Sequence, residues 1–236
     1  MFQTIKKLAL TLVVFFTAQF SVLAQTERDL GILFSGLEGN GIALEYRQMM
    51  GDTYRMRLGL TYNSNNNLTN SFYDEIVMVS DSLITQRVAV FNQNDVGIRF
   101  GFLNQVSESV FSVGADLNVA YRSLREGYYL QQTQLNPNGR WEINPTTAFP
   151  PFDNPGGSYV TRHFLVPTIR LAINADVPLG TSALVHFEIA YGANLPIYMG
   201  ASNVQLQPNE IVGTPATTFN AMLSAGLGLR YKLGSR

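Results

Sequence analysis

The chain has 236 residues, no cysteine and a formal net charge of −1. That length suits one domain or at most two. The missing cysteine excludes a disulfide framework, thiol catalysis and a lipidated N-terminal cysteine, and the near-neutral charge leaves no basic footprint for nucleic acid. Charged residues make up only 14 %, against about 25 % in soluble domains.

Lys6 and Lys7 precede an apolar run from Leu8 to Phe20, and Val22 and Ala24 then stand at the −3 and −1 positions of a small-residue cleavage site. This is the build of a secretory signal. It predicts a cleaved leader over 1–24, a mature chain starting at Gln25, and a single domain over 25–236.

From there on, apolar residues alternate with polar or small ones, the pattern of strands whose two faces meet different surroundings. A short stretch, Asp29–Ser35, comes first. In Gly41–Met50, Ile42, Leu44 and Tyr46 share one face while Ala43, Glu45 and Arg47 share the other. Tyr54–Tyr62 sets Met56, Leu58 and Leu60 against Arg55, Arg57 and Gly59. Asp95–Phe102 sets Val96, Ile98 and Phe100 against Asp95, Gly97 and Arg99. Phe111–Arg122 sets Val113, Leu117 and Tyr121 against Asp116, Asn118 and Arg122. Leu165–Asn174 opposes Ile169 and Leu171 to Thr168 and Arg170, and Val185–Gly192 opposes Phe187 and Ile189 to His186 and Glu188. Phe219–Lys232 closes the series, with Leu223, Leu227 and Leu229 opposite Ser224, Gly228, Arg230 and Lys232. Eight strands result.

The connections near Gly51–Thr53, Asn104–Ser109 and Val177–Ser182 are short, whereas 64–93, 123–162 and 196–218 are long and rich in Asn, Gln, Pro and Gly. Short turns at one rim and long loops at the other are the habit of outer-membrane barrels, whose short rim is periplasmic. The predicted fold is therefore all-β: a closed, antiparallel, up-and-down transmembrane barrel of eight strands with both termini periplasmic. Phe72–Val79 and Leu83–Phe91 flank Ser80–Ser82 and read as a hairpin extending beyond the membrane; if both crossed it, the count would be ten. A water-facing surface normally carries abundant Lys and Glu, and neither face here does. The small-residue face suits a crowded lumen. The apolar face then meets lipid, with Tyr54, Phe102, Phe111, Phe187 and Tyr231 towards the short-turn rim and Tyr62, Tyr121 and Phe219 towards the other.

With its leader, the opening hairpin LGILFSGLEGNGIALEYRQMMGDTYRMRLGLTY and the closing strand LSAGLGLRYKL, the chain resembles the outer-membrane β-barrel family common in Bacteroidota, the group of PorT-like and OmpA-like transmembrane domains. The resemblance covers most of 25–236 as a pattern. It implies outer-membrane location and contact with lipid and lipopolysaccharide. One departure is the run Lys232-Leu233-Gly234-Ser235-Arg236 past Tyr231, where such barrels often end on an aromatic residue.

Three places are candidates for function. By parity, the lumen gathers Glu45, Arg47, Arg55, Arg57, Asp95, Arg99, Asp116, Arg122, Arg170, Glu188, Arg230 and Lys232. In an eight-strand interior this set is expected to pair as a structural plug, with a narrow polar conduit as the alternative. Trp141, Phe149, Phe152 and Tyr159 mark the loop most suited to docking a protein partner. The two histidines raise the third possibility, a lipid-modifying enzyme. His163 falls on the outward face near the long-loop rim, and a hydrolase there needs a serine beside it, for which Ser123 and Ser158 are candidates. His186 lies on the lumen face near the short turns. The sequence carries no phosphate loop or paired-carboxylate motif, and two distant histidines make no metal site. The expectation is a non-enzymatic barrel without cofactor, acting as a structural or accessory subunit.

Overall fold

A computed structural model describes residues 27–36, 40–66, 72–106, 110–144, 158–205 and 217–233. The leader and parts of the three long connections lie outside these. Among the described residues there is no helix. The strands are β1 (Arg28–Gly36), β2 (Asn40–Met49), β3 (Tyr54–Asn66), β4 (Phe72–Val79), β5 (Leu83–Gln105), β6 (Phe111–Leu135), β7 (Trp141–Ile143), β8 (Ser158–Pro178), β9 (Ala183–Asn194), β10 (Ile197–Gln205) and β11 (Asn220–Lys232).

Eight of them close a ring. β1 pairs with β2, β2 with β3, β3 with β5, β5 with β6, β6 with β8, β8 with β9, β9 with β11, and β11 returns to β1, every pair antiparallel. The eight-strand expectation is met. Ten is excluded, because β4 pairs only with the outer end of β5, Phe72 opposite Ala89 and Val79 opposite Ile84. Closure matters physically: it gives every backbone group in the ring a neighbour, which a sheet in lipid cannot otherwise achieve. The beginning of β1 and the end of β11 meet at the short-turn rim, where Leu233 donates its N–H to the Arg28 carbonyl at 2.8 Å.

The two faces separate along each strand. In β9 the inward-facing Leu184, His186, Glu188, Ala190 and Gly192 are buried, while Phe187, Ile189 and Tyr191 are exposed. The exposed apolar set runs round the wall through Leu44, Leu60, Ile98, Phe100, Leu117, Leu171 and Leu229. The interior is the opposite of an ordinary core. Its largest fully buried side chains include Arg47, Arg57, His186 and Glu45.

Glycine makes room for them. The register sets Gly59 between Glu45 and Arg99, and Gly101 between Arg57 and Asp116. A Cβ on Gly101 would overlap the Asp116 carboxylate and approach the Ala115 carbonyl oxygen to 2.7 Å. Gly101→Val is therefore expected to push Asp116 off Arg57 and to destabilise the folded barrel by several kcal/mol, as overpacking and a broken buried pair combine. Chemical denaturation in lipid vesicles reads this out, and wild-type stability would contradict the packing rule.

The wall does not end with the ring. Pairing of β3 with β5 reaches only Asn66 opposite Asn92, yet β5 and β6 stay paired out to Leu83 opposite Gln134. Residues 83–91 thus carry the sheet on the order of 30 Å further along the strand. β4 flanks β5, β8 follows β6 as far as Ser158 opposite Tyr128, and β7 pairs at the tip, Leu135 opposite Trp141. β10 lies along the outer part of β8, from Ile197 opposite Leu165 to Gln205 opposite Tyr159. So 64–93 holds the hairpin expected at Phe72–Val79 and Leu83–Phe91, and the stretches read as loops at 123–162 and 196–218 also give strands to a projecting sheet. The alternation that marks the ring is lost there, where Gln, Asn and Thr stand on both faces and Thr85, Gln131, Val160 and Thr161 are buried.

Candidate functional site

Each barrel strand delivers its charged side chains inward because one residue in two faces the lumen, and lateral glycines leave the volume they fill. At the centre is Glu45. Its Oε1 accepts from Arg99 Nη1 at 2.7 Å and lies 3.6 Å from Arg57 Nη1; its Oε2 accepts from Arg230 Nη1 at 3.0 Å and from Arg47 Nη2 at 3.4 Å. One carboxylate thus sits among four guanidinium groups.

Arg57 is the second hub. Its Nε donates to Asp116 Oδ1 at 3.0 Å, its Nη2 to Asp116 Oδ2, and its Nη1 to Glu188. Glu188 also takes Arg170, with Arg99 at 3.6 Å. A planar guanidinium holding one carboxylate by two bonds and a second by its remaining nitrogen uses its fork geometry fully.

Towards the short-turn rim, Arg47 Nη1 donates to Asp176 Oδ2 at 3.1 Å, and His186 Nδ1 lies 2.7 Å from Asp176 Oδ1. Arg55 reaches Asp176 at 3.6 Å, and Arg230 Nε donates to Asp29 at 2.5 Å. Lys232 lines the cavity beneath this layer. Towards the long-loop rim, Arg122 grips Asp95 by two bonds of 2.9 and 2.8 Å, apart from the central cluster. Asp29 and Asp176, which the sequence reading leaves out of the charge set, thus join it, and His186, which that reading places on the lumen face, meets it here. Asp176 continues the parity of Arg170, Ala172 and Asn174 past the end assigned to that strand.

Two cavities flank the cluster. The outer one, about 210 Å³, is lined by Asn63, Asp95, Arg122, Asn194 and others. The inner one, about 200 Å³, is lined by Arg55, Gln105, Asp176 and Lys232. Glu45, Arg47, Arg57 and Glu188 line neither and lie between.

The loop candidates separate. Trp141 is exposed at the tip of the projecting sheet, beside Leu135 in register. Tyr159 lies lower, opposite Gly127, with the Arg125 guanidinium 4.5 Å over its ring. Phe149 and Phe152 lie outside the described residues. The register puts Val79, Ile84, Leu135, Trp141 and Ile143 on one face of the tip, and Val79, Leu135, Trp141 and Ile143 are exposed there.

His163 is half-buried on the outward face. Ser123 lies opposite it in register, but the ring's hydrogen bonds go elsewhere: Nδ1 is 2.5 Å from the Tyr121 hydroxyl, and Nε2 is 2.7 Å from Ser202 Oγ. The Ser158 side chain lies outside the described residues. Ser202 had no sequence signal, because β10, which carries it, falls in the stretch read as a loop.

No protein-family model matches the chain, and no curated protein matches it in sequence. Solved structures that match it include a major outer membrane protein from Thermus thermophilus, 12 % identical, with a TM-score of 0.47 over 88 % of this chain and 99 % of that one. Acinetobacter baumannii CarO matches at 13 % identity and a TM-score of 0.36, over 89 % and 98 % of the two chains. Ail, the attachment invasion locus protein of Yersinia pestis, solved in complex with the heparin analogue sucrose octasulfate, matches at 9 % identity and a TM-score of 0.33, over 88 % and 97 %.

Proposed function

We propose that this chain is an integral outer-membrane barrel that serves as a structural or accessory subunit and meets a protein partner through its projecting sheet. The observation that carries this reading is the tip. Val79, Leu135, Trp141 and Ile143 are exposed on one face of it, well beyond the ring, where lipid does not account for apolar exposure. An apolar aromatic patch held on a paired sheet is suited to a protein interface.

The rest of the reading follows the same physics. Residues 1–24 serve as the export signal, cleaved after Ala24. The exposed apolar belt meets outer-membrane lipid and lipopolysaccharide, and the short-turn rim, with both ends of the ring, faces the periplasm. The lumen charges act as a plug that holds the wall together, with no catalytic or conducting role, since the central ion pairs part the outer cavity from the inner one. Kinship with the Bacteroidota barrels of the PorT-like and OmpA-like group is supported by the opening hairpin and the closing strand.

A photo-crosslinking residue at Trp141, tested in native outer membranes, is expected to capture a protein partner. Trp141→Ser with Ile143→Ser is expected to abolish co-purification under mild detergent while the barrel stays folded. Purification as a bare monomer, with no adduct at Trp141, would sink the partner reading.

A further inference from the structure

We propose that Ser202, His163 and Tyr121 form a nucleophilic site on the outer wall that hydrolyses carboxylic esters of membrane lipids, an activity beyond the structural and partner-binding role. Three elements meet there. Tyr121 ends the apolar run on the outward face of β6; beyond it that face carries Ser123 and Arg125. On β8, Leu165 ends the corresponding run and His163 follows. The trio therefore sits where hydrocarbon gives way to headgroups, the depth that aromatic belts mark and the depth at which lipid esters lie.

The geometry is that of a nucleophile, its base and an orienting group. Ser202 Oγ is 2.7 Å from His163 Nε2, and the Tyr121 hydroxyl is 2.5 Å from Nδ1, with the two ring planes 15° apart. In the productive tautomer Nδ1 donates to the Tyr121 oxygen, and the Nε2 lone pair accepts from Ser202. The backbone around the serine is unusual. Register shifts flank it, between Tyr198 and Gly200 and again between Ser202 and Gln205. Gly200 has a φ of 146° and Asn203 a φ of 48°, the latter being the single positive value at a non-glycine among the described residues. Bulges and left-handed residues re-aim side chains and gather at functional sites; here they turn Ser202 onto the histidine.

The chemistry balances with water as the only co-reactant. Ser202 Oγ attacks the ester carbonyl carbon as Nε2 takes its proton. The bond to the alcohol oxygen breaks, and Nε2 returns the proton to that oxygen. Water then attacks the acyl-serine, Nε2 takes its proton and gives it to Oγ, and a free fatty acid leaves. Tyr121 touches no reacting atom. It is a positioning residue that fixes the ring and its tautomer.

The test uses the full-length folded barrel in phosphatidylethanolamine vesicles, with its heat-dependent gel shift as the folding control. Wild type is expected to release fatty acid and to be labelled on Ser202 by an alkyl fluorophosphonate. Ser202→Ala is expected to lose both, and His163→Asn to lose roughly 10²–10⁴-fold in rate. Tyr121→Phe is expected to lower kcat with KM unchanged, which a merely structural change would not do. A folded wild type that neither releases fatty acid nor takes the label, or a Ser202→Ala variant that keeps either, overturns the assignment.

Discussion

Glu45→Ala is expected to destabilise the barrel by about 3–5 kcal/mol, the cost of stranding buried charge. Glu45 is fully buried, and Arg47, Arg57, Arg99 and Arg230 converge on it. Removing the carboxylate leaves mutually repelling guanidinium groups in a space that water reaches poorly. Arg57 and Arg99 keep Glu188, and Arg47 keeps Asp176, so the loss stays short of complete unfolding. Glu45→Gln keeps the shape and removes the charge, and it is expected to lose most of the same stability. The control is Asp95→Ala. The Asp95–Arg122 pair borders the outer cavity with 12 % and 16 % of its side chains exposed, so Asp95→Ala strands one guanidinium at a cavity edge rather than four at the centre, and the expected loss is smaller than at Glu45. Denaturant midpoints in lipid vesicles at constant slope measure both. Equal losses at Glu45 and Asp95 would falsify the view that the central cluster is a desolvated plug.

The residues of that cluster were legible in the sequence, and so was the nearness across the first short turn of Glu45 and Arg57, which lie 3.6 Å apart; the partners from distant strands were not. Alternation assigns Glu45, Arg57 and Glu188 to the lumen because an exposed apolar face leaves only one side for charge. Which guanidinium meets which carboxylate depends on the shear of the closed ring, which brings together groups such as Arg57 and Glu188, 131 residues apart. Strand ends were harder for a physical reason. Along β6, Tyr121 ends the outward apolar run, but pairing continues to Leu135 through the polar Gln131-Gln132-Thr133-Gln134. With polar residues on both faces the period disappears although the hydrogen bonds do not. β10 was invisible for a second reason: Pro196 precedes it and two register shifts interrupt it, so its residues never alternate. Ser202 rides on that strand, and its bond to His163 spans 39 residues, so no local pattern announces it.

A charge on the outer wall separates a lipid-facing barrel from one that meets water. Leu171 lies mid-strand on β8, opposite Ala115 on one side and Tyr191 on the other, and is 65 % exposed. Leu171→Arg is expected to cost about 2–4 kcal/mol in a bilayer, the penalty for arginine near the midplane of a barrel wall. Gln134→Arg, on the exposed tip of β6, is expected to be neutral within about 0.5 kcal/mol, as surface changes usually are. The contrast follows from solvent alone, since both sites lie in paired β6 or β8 strands and neither faces the lumen cluster. Refolding both variants into vesicles of increasing hydrocarbon thickness adds a second reading. The Leu171→Arg penalty should grow as thickness removes the arginine's route to the interface, while Gln134→Arg should not respond. If arginine at 171 were as harmless as at 134, the exposed belt of Ile169, Leu171, Ile173 and Ile189 would not be facing lipid, and the membrane-spanning reading would have to be given up.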